Sequence, residues 1–197
     1  MRVKKIISIT SLIIVNINFI LRNLYYSKKL SSIESYYENG IIFVPCNYKL
    51  FQHVINISKK LSETRRLNFF DKINLFLIGY KTYFVVCDKL NQYKIIGYSN
   101  YYFNKRDVIE NTIHRGYIGI LPEYHGKGIG QKFDRIIINH FAKNSELKGI
   151  SSRVSINNIA SYKMHIKSGF VTVERYSDPL MKEEREYMIC ELDKFRN

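Results

Sequence analysis

Three glycines at two-residue spacing, Gly126, Gly128 and Gly130, make the stretch 121–131 the most informative part of the sequence. Glycine lets the backbone turn tightly and bring N–H groups close to an anion. A helix predicted from Ile129 would add the positive end of its dipole. The pattern predicts a pyrophosphate cradle, with a plain glycine-rich turn as the alternative. It is not a P-loop, because G-x-x-x-x-G-K-[ST] is absent, and the G-x-G-x-G spacing does not match the dinucleotide fingerprint.

A second motif, N-I-A-S-Y-K-M-H-I-K-S-G-F, runs from Asn158 to Phe170. It resembles the N-x-x-A/S-x-x-x-Y-x-x-x-G-F motif of the GNAT superfamily of acyl-CoA-dependent acetyltransferases, with His165 in the tyrosine position. Residues 125–130, H-G-K-G-I-G, resemble the family's pyrophosphate loop, Q/R-x-x-G-x-G/A. The resemblance covers residues 40–192. It implies an α/β (α+β) fold: a single GNAT-like domain with a central mixed, mostly antiparallel sheet flanked by helices.

The resemblance also implies acetyl-CoA as the cosubstrate and no metal. Backbone groups of Ile118, Gly119 and Ile120 would pair with the extended pantetheine arm like an added strand. Asn158 would contact the cofactor near the same arm. The pyrophosphate would lie on the glycine loop, whose residues are His125, Gly126, Lys127, Gly128, Ile129, Gly130 and Gln131.

Acetyl transfer to an amine needs a base for the amine and a proton for the departing thiolate. The resemblance places the proton donor at His165, with Tyr162 as the fallback, and a histidine that only packs at the helix end is the alternative. Some members carry a glutamate base where this chain has Arg153. Other members carry an acidic residue at a position that, counted without gaps, corresponds to His114 in this chain. A surface histidine at this position, or water taking the proton, are the alternatives to a base at His114.

The three cysteines, Cys46, Cys87 and Cys190, are isolated in apolar stretches. No C-x-x-C or H-E-x-x-H spacing is present, so the sequence indicates neither a structural zinc site nor a disulfide framework. We expect buried thiols in a reducing compartment, with a nucleophilic cysteine as the alternative.

The chain has 197 residues and a net charge of +14, from 31 Lys and Arg against 17 Asp and Glu. This charge favours anionic partners. An abundance of Ile, Lys, Asn and Tyr beside only two alanines is also typical of an AT-rich genome, which adds lysine regardless of function. Aromatic and basic residues are spread along the chain without a recognised module, so we expect no nucleic-acid partner.

The resemblance places the amine acceptor, a small molecule, beside the first two helices and the last hairpin, residues 47–78 and 171–186. Rings and arginines there suit a sugar nucleotide, because rings stack and arginines hold phosphates. These residues include Arg65, Arg66, Phe69, Phe70, Arg175 and Tyr176. A general likeness to acetyltransferases of bacterial surface-polysaccharide synthesis implies an amino sugar or amino-sugar nucleotide. The alternatives are a protein N-terminal or lysine acetyltransferase and a non-catalytic acyl-CoA-binding protein.

Residues 1–35 are predicted to form an N-terminal helical extension to an acetyltransferase domain at 36–197. Apolar residues at three- and four-residue steps make one stripe on this helix: Ile6, Ile9, Ile13, Ile17, Ile20 and Leu24. The stripe predicts packing on the domain, a homodimer interface, or peripheral membrane contact through residues 1–30. We expect a cytoplasmic protein, at the inner face of the membrane if the helix binds lipid. We also expect residues 1–30 to be dispensable for chemistry.

Hydrophobic periodicity predicts the elements that must position these groups. Strands are predicted at 41–45, 83–88, 94–103, 112–121, 148–156, 170–176 and 186–192. Helices are predicted at 50–61, 63–78, 129–142 and 159–168. The order of these elements indicates layers around one mixed sheet.

Overall fold

The computed structural model describes residues 2–61, 67–179 and 181–196, with side chains from residue 12 onwards. The helices in this part of the chain are α1 (Arg2–Tyr26), α2 (Phe51–Leu61), α3 (Phe69–Thr82), α4 (Lys105–Glu110), α5 (Ile129–Asn144) and α6 (Ile159–Lys167). The strands are β1 (Tyr36–Glu38), β2 (Ile41–Pro45), β3 (Tyr83–Asp88), β4 (Lys94–Tyr102), β5 (Thr112–Ile120), β6 (Gly149–Ser155), β7 (Val171–Asp178) and β8 (Glu183–Glu191).

All these strands form one sheet in the order β1-β2-β3-β4-β5-β6-β8-β7. Neighbouring strands are antiparallel except β5 and β6, which run parallel because α5 crosses over between them. The predicted fold, a mixed and mostly antiparallel sheet with flanking helices, is confirmed.

The sequence analysis does not predict β1 or α4. Strand β1 has three residues, is half-buried at most, and pairs with β2 at the edge of the sheet. Polar residues surround it in the sequence, so no apolar alternation marks it as a strand. Helix α4 has six residues and begins with a capping box between Asn104 and Asp107. That spacing is the signal that could have identified it.

Helix α3 begins later than predicted. Asn68 Oδ1 accepts a hydrogen bond from Asp71 N–H at 2.9 Å, and Asn68 N–H donates to Asp71 Oδ2 at 3.0 Å. This capping box fixes the helix start at Phe69. Residues 63–66 of the predicted helix, including Arg65 and Arg66, lie outside the described residues.

Helix α5 supplies the centre of the core. Its Phe133, Ile137 and Phe141 side chains are at most 1% exposed. Phe133 stacks on Phe43 of β2 with ring centroids 5.6 Å apart, and Phe141 meets Phe84 of β3 at 5.5 Å. Burial of side chains of this size contributes roughly 1.5–3 kcal/mol each. This packing holds α5 against the sheet, with its first turn directly after the glycine loop.

The C-terminal half of α1 is held to the sheet by a polar clamp. Asn23 is fully buried, accepts from Phe103 N–H at 2.7 Å and donates to Phe103 O at 3.2 Å. Leu30 and Ile33, just after α1, belong to the same hydrophobic core as the sheet. The division of the chain at residue 35 stays a prediction, and in the structure the core continues across it.

The apolar stripe of α1 packs on the domain only in part: Ile20 and Leu24 are half-buried, whereas Ile13 and Ile17 are exposed. The exposed apolar side chains on the outer face of α1 are Ile13, Ile14, Ile17, Leu21 and Tyr25. The side chains of Ile6 and Ile9 lie outside the described residues. Within the described residues, no helix combines the length and hydropathy that crossing a membrane requires.

Candidate active site

Strands β5 and β6 separate part-way along their length. Parallel pairing joins residues 112–115 of β5 to residues 149–152 of β6 and stops there, although β5 continues to Ile120. The next residue, Gly116, is an extra residue on β5, because the register with β4 shifts between Asn100 and Tyr101. A Cβ on Gly116 would lie 2.5 Å from the Tyr102 ring, so a larger residue would force the ring to move. The result is an open strand edge inside the sheet.

This open edge presents the backbone of alternate residues. Leu121 N–H donates to a carbonyl of β4 at 2.7 Å, so Gly119, two residues earlier, also directs its N–H and C=O towards β4. Ile118 and Ile120 direct their N–H and C=O groups towards the gap between β5 and β6, which fits the predicted pairing with the pantetheine arm. Gly119 does not fit that backbone role. It leaves space instead, because a Cβ there would clash with the Tyr117 ring.

The glycine loop connects the end of this edge to helix α5. Gly126 and Gly128 have φ values of +75° and +72°, a backbone conformation that favours glycine, and a Cβ on either would meet nothing within 4 Å. The first bond of the helix runs from Lys132 N–H to Gly128 O at 3.1 Å. The helix N–H groups that precede it belong to Ile129, Gly130 and Gln131. The loop is therefore an open surface of N–H groups at a helix N-terminus, which suits a pyrophosphate.

His125 and Asn158 lie at the two ends of this region. His125 Nε2 donates to Ile120 O at 2.8 Å and ties the loop to the end of β5, in the place where the family's motif has Gln or Arg. Because the Ile120 carbonyl accepts this bond, only the Ile120 N–H is left to pair with a ligand in the gap between β5 and β6. Asn158 is exposed and caps α6, because its Oδ1 accepts from Ser161 N–H at 3.1 Å. Its amide nitrogen is then the group that a ligand arm can reach.

The charges around the loop favour an anion. Lys127 lies beside it, with Nζ 5.0 Å from the centroid of the Tyr124 ring. Lys132, in the first turns of α5, pairs with Glu38 of β1. The first turn of α5 contains no acidic residue. The roles of the loop residues stay predictions, and the geometry supports them.

An open cleft of about 450 Å³ lies beside the point where the strands separate. Val15, Asn16 and Phe19 of α1 form part of its wall, together with residues of α3 and of strands β4, β5 and β6. The expectation that residues 1–30 are dispensable for chemistry does not fit this structure, because the helix encloses the cleft. Packing contacts across the fold, which the sequence alone does not reveal, place it there.

Only some of the aromatic and basic residues that were expected to contact the acceptor line the cleft. Phe70 lines the cleft, whereas Phe69 is an exposed side chain outside its described lining. Arg175 pairs with Glu186 of β8, also outside that lining. The aromatic part of the cleft comes mainly from the sheet: Tyr98, Tyr102 and Tyr117.

Three arginines are described in the cleft lining, and two of them form ion pairs with carboxylates. Arg115 forms a buried ion pair with Asp134 of α5, and Arg185 pairs with carboxylates of the β7–β8 hairpin. Arg153 is exposed and forms no ion pair within the described part of the chain. Asp71 also lines the cleft, and burial raises the pKa of its carboxyl. Arg153 is therefore the cleft arginine that no described carboxylate holds in an ion pair, at the position where some GNAT members carry a glutamate.

His114 lies in the wall of the cleft, where β5 and β6 still pair. Its Nδ1 is 2.7 Å from Oγ of Ser151, its register partner on β6. Its ring centroid is 5.0 Å from that of Tyr102. The side chain is 3% exposed, so the alternative of a surface histidine is wrong. The predicted role as a base stays a prediction, and this position is compatible with it.

His165 is less suited to its predicted role. It is 2% exposed, its Nδ1 donates to Ser161 O at 2.7 Å, and its Nε2 lies 2.9 Å from Ser152 Oγ. Its ring packs edge-on against Phe170, with centroids 4.8 Å apart. Burial, helped by the charge of Arg115, lowers the pKa of the imidazole to about 3. Both nitrogens are engaged and the ring is neutral near pH 7, so this geometry favours the alternative of a packing histidine.

Tyr162, the fallback donor, is half-buried one turn earlier on α6. The pKa of the Arg175 guanidinium is raised mainly by its hydrogen bond to Glu186, and the nearby Tyr162 phenol adds to this effect. Tyr162 is therefore more accessible to a ligand than His165, and its role also stays a prediction.

The three thiols are free and buried. Burial raises the pKa of Cys46 and of Cys190 to about 12 and that of Cys87 to about 11. A thiol with such a pKa is a poor nucleophile near pH 7, so the alternative of a nucleophilic cysteine is not supported. Among the described residues, no cluster of three or more His, Cys, Asp or Glu side chains could hold a metal ion.

Residues 50–171, more than half of the chain, match the model of the acetyltransferase (GNAT) domain. The chain belongs to the GNAT acetyltransferase family. It is therefore an N-acetyltransferase that uses acetyl-CoA, as the sequence analysis predicts. The open edge of β5 and the glycine loop are the parts of this GNAT fold that fit the cosubstrate.

Solved structures show the same fold at low sequence identity. The ribosomal-protein-S5-alanine acetyltransferase from Vibrio fischeri is 22% identical, with a TM-score of 0.68, over 84% of this chain and 100% of that one. NAA60 from Arabidopsis thaliana, in complex with acetyl-CoA, is 14% identical, with a TM-score of 0.65, over 76% and 97%. A chimera of spermidine N-acetyltransferase from Vibrio cholerae and hSSAT is 18% identical, with a TM-score of 0.62, over 81% and 99%. No curated protein matches the chain in sequence.

The sequence analysis of this GNAT chain misses the wall contributed by α1 and the residues around His114. Asn16 and Asn23 were the available signals, because an asparagine within an apolar helix often marks a polar contact. For Asp107 and Ser151, which lie under His114, no local signal exists, because their proximity depends on the strand register.

Proposed function

We propose that the chain transfers an acetyl group from acetyl-CoA to the primary amine of a small acceptor, an amino sugar or, better suited to the cleft, a negatively charged amino-sugar nucleotide. The observation that carries the acceptor class is the exposed Arg153, which forms no ion pair with a described carboxylate, in a cleft lined by tyrosine rings. A guanidinium holds phosphate oxygens in a bidentate manner, and rings stack on a base.

Acetyl-CoA supplies the activated thioester. The N–H of Ile118 and of Ile120 would hold its extended arm in the gap between β5 and β6, and the glycine loop would hold its pyrophosphate. His114 would take the proton that the attacking amine loses. Tyr162 would give a proton to the departing sulfur, because His165 is buried and neutral.

Two other functions remain alternatives. A protein N-terminal or lysine acetyltransferase is suggested by the names of similar solved structures, but a chain of net charge +14 would repel basic peptides. The other alternative, a non-catalytic acyl-CoA-binding protein, is not favoured, because the chain belongs to the GNAT acetyltransferase family and has a cleft beside the open edge.

A thiol-release assay with acetyl-CoA tests the proposal. The panels are amino sugars, amino-sugar nucleotides, polyamines and peptides with free N-termini. We expect turnover on an amino sugar or its nucleotide. Turnover on peptides or polyamines alone would reject the proposed acceptor, and tight coenzyme A binding without turnover on any panel would favour the non-catalytic protein.

We also propose that the chain works in the cytoplasm at the inner face of the membrane, and that α1 makes the contact. The outer face of α1 is apolar and exposed from Ile13 to Tyr25, and Lys28 and Lys29 follow it directly. Arg2, Lys4 and Lys5 precede it in the sequence. An apolar helix face with basic flanks suits an anionic lipid surface. A homodimer through the same face is the competing outcome.

A further inference from the structure

Three residues from three elements form a buried chain of hydrogen bonds beside the cleft. Ser151 Oγ of β6 lies 2.7 Å from His114 Nδ1 of β5 and 2.5 Å from Asp107 Oδ1 of α4. Asp107 and Ser151 are fully buried, and only His114 reaches the cleft lining. The contact depends on the parallel register, which places His114 directly beside Ser151.

The positions of the hydrogens follow from the partners of Asp107. Its Oδ1 accepts from Thr112 Oγ1 at 2.8 Å as well as from Ser151, and its Oδ2 accepts from Asn104 N–H at 3.2 Å. Burial raises the pKa of Asp107, and these donors oppose that effect. Ser151 has one hydroxyl hydrogen, which goes to the carboxylate as the strongest acceptor in reach. Its oxygen can then only accept from His114.

We propose that Ser151 and Asp107 are positioning residues that hold His114 in the tautomer with hydrogen on Nδ1. Nε2 then carries the lone pair, which is the state a base requires. The inference rests on the proposed function for its purpose, but the tautomer itself is a property of the protein without substrate.

Within the described part of the chain, the polar groups near this cluster have contacts of their own. Tyr102 of β4 contacts the ring, and Arg153 of β6 lies near enough to Asp107 to lower the pKa of its carboxyl. Tyr187 of β8 approaches Ser151, but its own hydroxyl donates to Glu110 Oε2 at 3.0 Å. Arg115 and Arg185 line the same cleft and are held by carboxylates.

The first test needs no substrate. The full chain is labelled with ¹⁵N-histidine, and long-range ¹⁵N–¹H spectra report which nitrogen of each of its five histidines carries hydrogen. The His114→Asn spectrum assigns the signal. We expect the Nδ1–H tautomer in the wild type and a shift towards Nε2–H in Ser151→Ala. The matched control is Ser152→Ala, on the adjacent residue, whose hydroxyl contacts His165 instead; it should leave the His114 signal unchanged. An Nε2–H tautomer in the wild type, or no change in Ser151→Ala, overturns the proposal.

The second test asks whether Ser151 acts through His114. The rate is measured with acetyl-CoA and an amino-sugar nucleotide. We expect His114→Ala to lower kcat by about 10²–10⁴-fold and Ser151→Ala by about tenfold or more. In the His114→Ala background, Ser151→Ala should cost less than about twofold, because residues that act as a unit are not additive. An equal fold-loss of kcat in both backgrounds overturns the proposal that Ser151 acts through His114. If the wild type is inactive, the proposed acceptor is rejected, and the spectra alone decide whether Ser151 and Asp107 hold the His114 tautomer.

Discussion

Burial keeps His165 uncharged across the pH range in which most proteins are stable. Its folded-state pKa is about 3, against an ordinary value of 6.5. Between these values the unfolded chain binds one more proton than the folded chain at this residue. The free energy of unfolding therefore falls as the pH decreases from 6.5 towards 3, and is unaffected by this group above 6.5.

The His165→Gln variant tests this linkage. Each pH unit below 6.5 should cost the wild type about 1.4 kcal/mol through this residue, or about 2 kcal/mol at pH 5. Urea unfolding at pH 7 and pH 5 measures the difference. We expect the variant to lose about 2 kcal/mol less than the wild type over this interval. An equal loss in both proteins would show that His165 can be protonated in the fold, and would restore it as a candidate acid.

Arg153 should select for negative charge in the acceptor. Arg153→Ala should raise KM for an amino-sugar nucleotide by roughly 10- to 100-fold, because a charge-assisted hydrogen bond is worth about 1.5–3 kcal/mol. KM for a neutral amino sugar should change little. The control is Arg135→Ala, an exposed arginine of α5 outside the cleft lining. Equal changes with charged and neutral acceptors would show that Arg153 does not read the phosphate.

At the scale of elements, helix α1 depends on one side chain. Asn23→Ala would leave the N–H of Phe103 buried without its partner, and would leave the C=O of Phe103 only the 3.5 Å contact from Arg22 Nη1. An unpaired buried group costs roughly 1–3 kcal/mol, so we expect a loss of about 1–3 kcal/mol in the free energy of unfolding. Asn18, exposed on the same helix, provides the matched control: Asn18→Ala should change stability by about 0.5 kcal/mol or less. Similar values for the two variants would contradict the clamp.

The glycine loop can be tested with two substitutions of different expected cost. Gly128→Val combines a strained positive φ with a side chain in the ligand's path, and should abolish coenzyme A binding. Gly130→Ala, in the first turn of α5, has no positive φ, and its nearest neighbour would be 3.9 Å away. We expect Gly130→Ala to fold normally and to keep affinity within about tenfold, as the family's G/A position indicates. Calorimetry with coenzyme A measures both, and wild-type affinity in Gly128→Val would reject the cradle.

The elements themselves were largely predictable, and their mutual contacts were not. Strand β3 and helix α2 follow from local apolar periodicity, which needs no tertiary information. The same periodicity identified the apolar stripe of α1 but could not say that Asn23, beside it on the helix surface, is buried against the end of β4. His114 and His165 are equally prominent in the sequence. Only the strand register, which places His114 beside Ser151, and the contacts of both His165 nitrogens distinguish them.

At the scale of the whole molecule, the exposed face of α1 should determine where the protein resides. We expect the full chain to float with vesicles of phosphatidylcholine and phosphatidylglycerol more than with phosphatidylcholine alone. Leu21→Glu should weaken this binding by about 10- to 100-fold, because an apolar side chain of this size contributes roughly 1.5–3 kcal/mol on burial. Ile109→Glu is the control, since Ile109 is 84% exposed on a different helix, α4. A concentration-dependent dimer without vesicle binding, lost in Leu21→Glu, would identify the face as a homodimer interface.

The open edge of β5 also bears on solubility. An unpaired strand edge is a template for pairing with another chain, which is the usual beginning of aggregation. Here the edge is short, lies inside the sheet, and ends at a bulge on one side and at the glycine loop on the other. An invading strand from another molecule would have room for only a few backbone bonds before meeting one of these ends. The fold thus offers a free edge to a slender ligand while denying it to a second copy of itself.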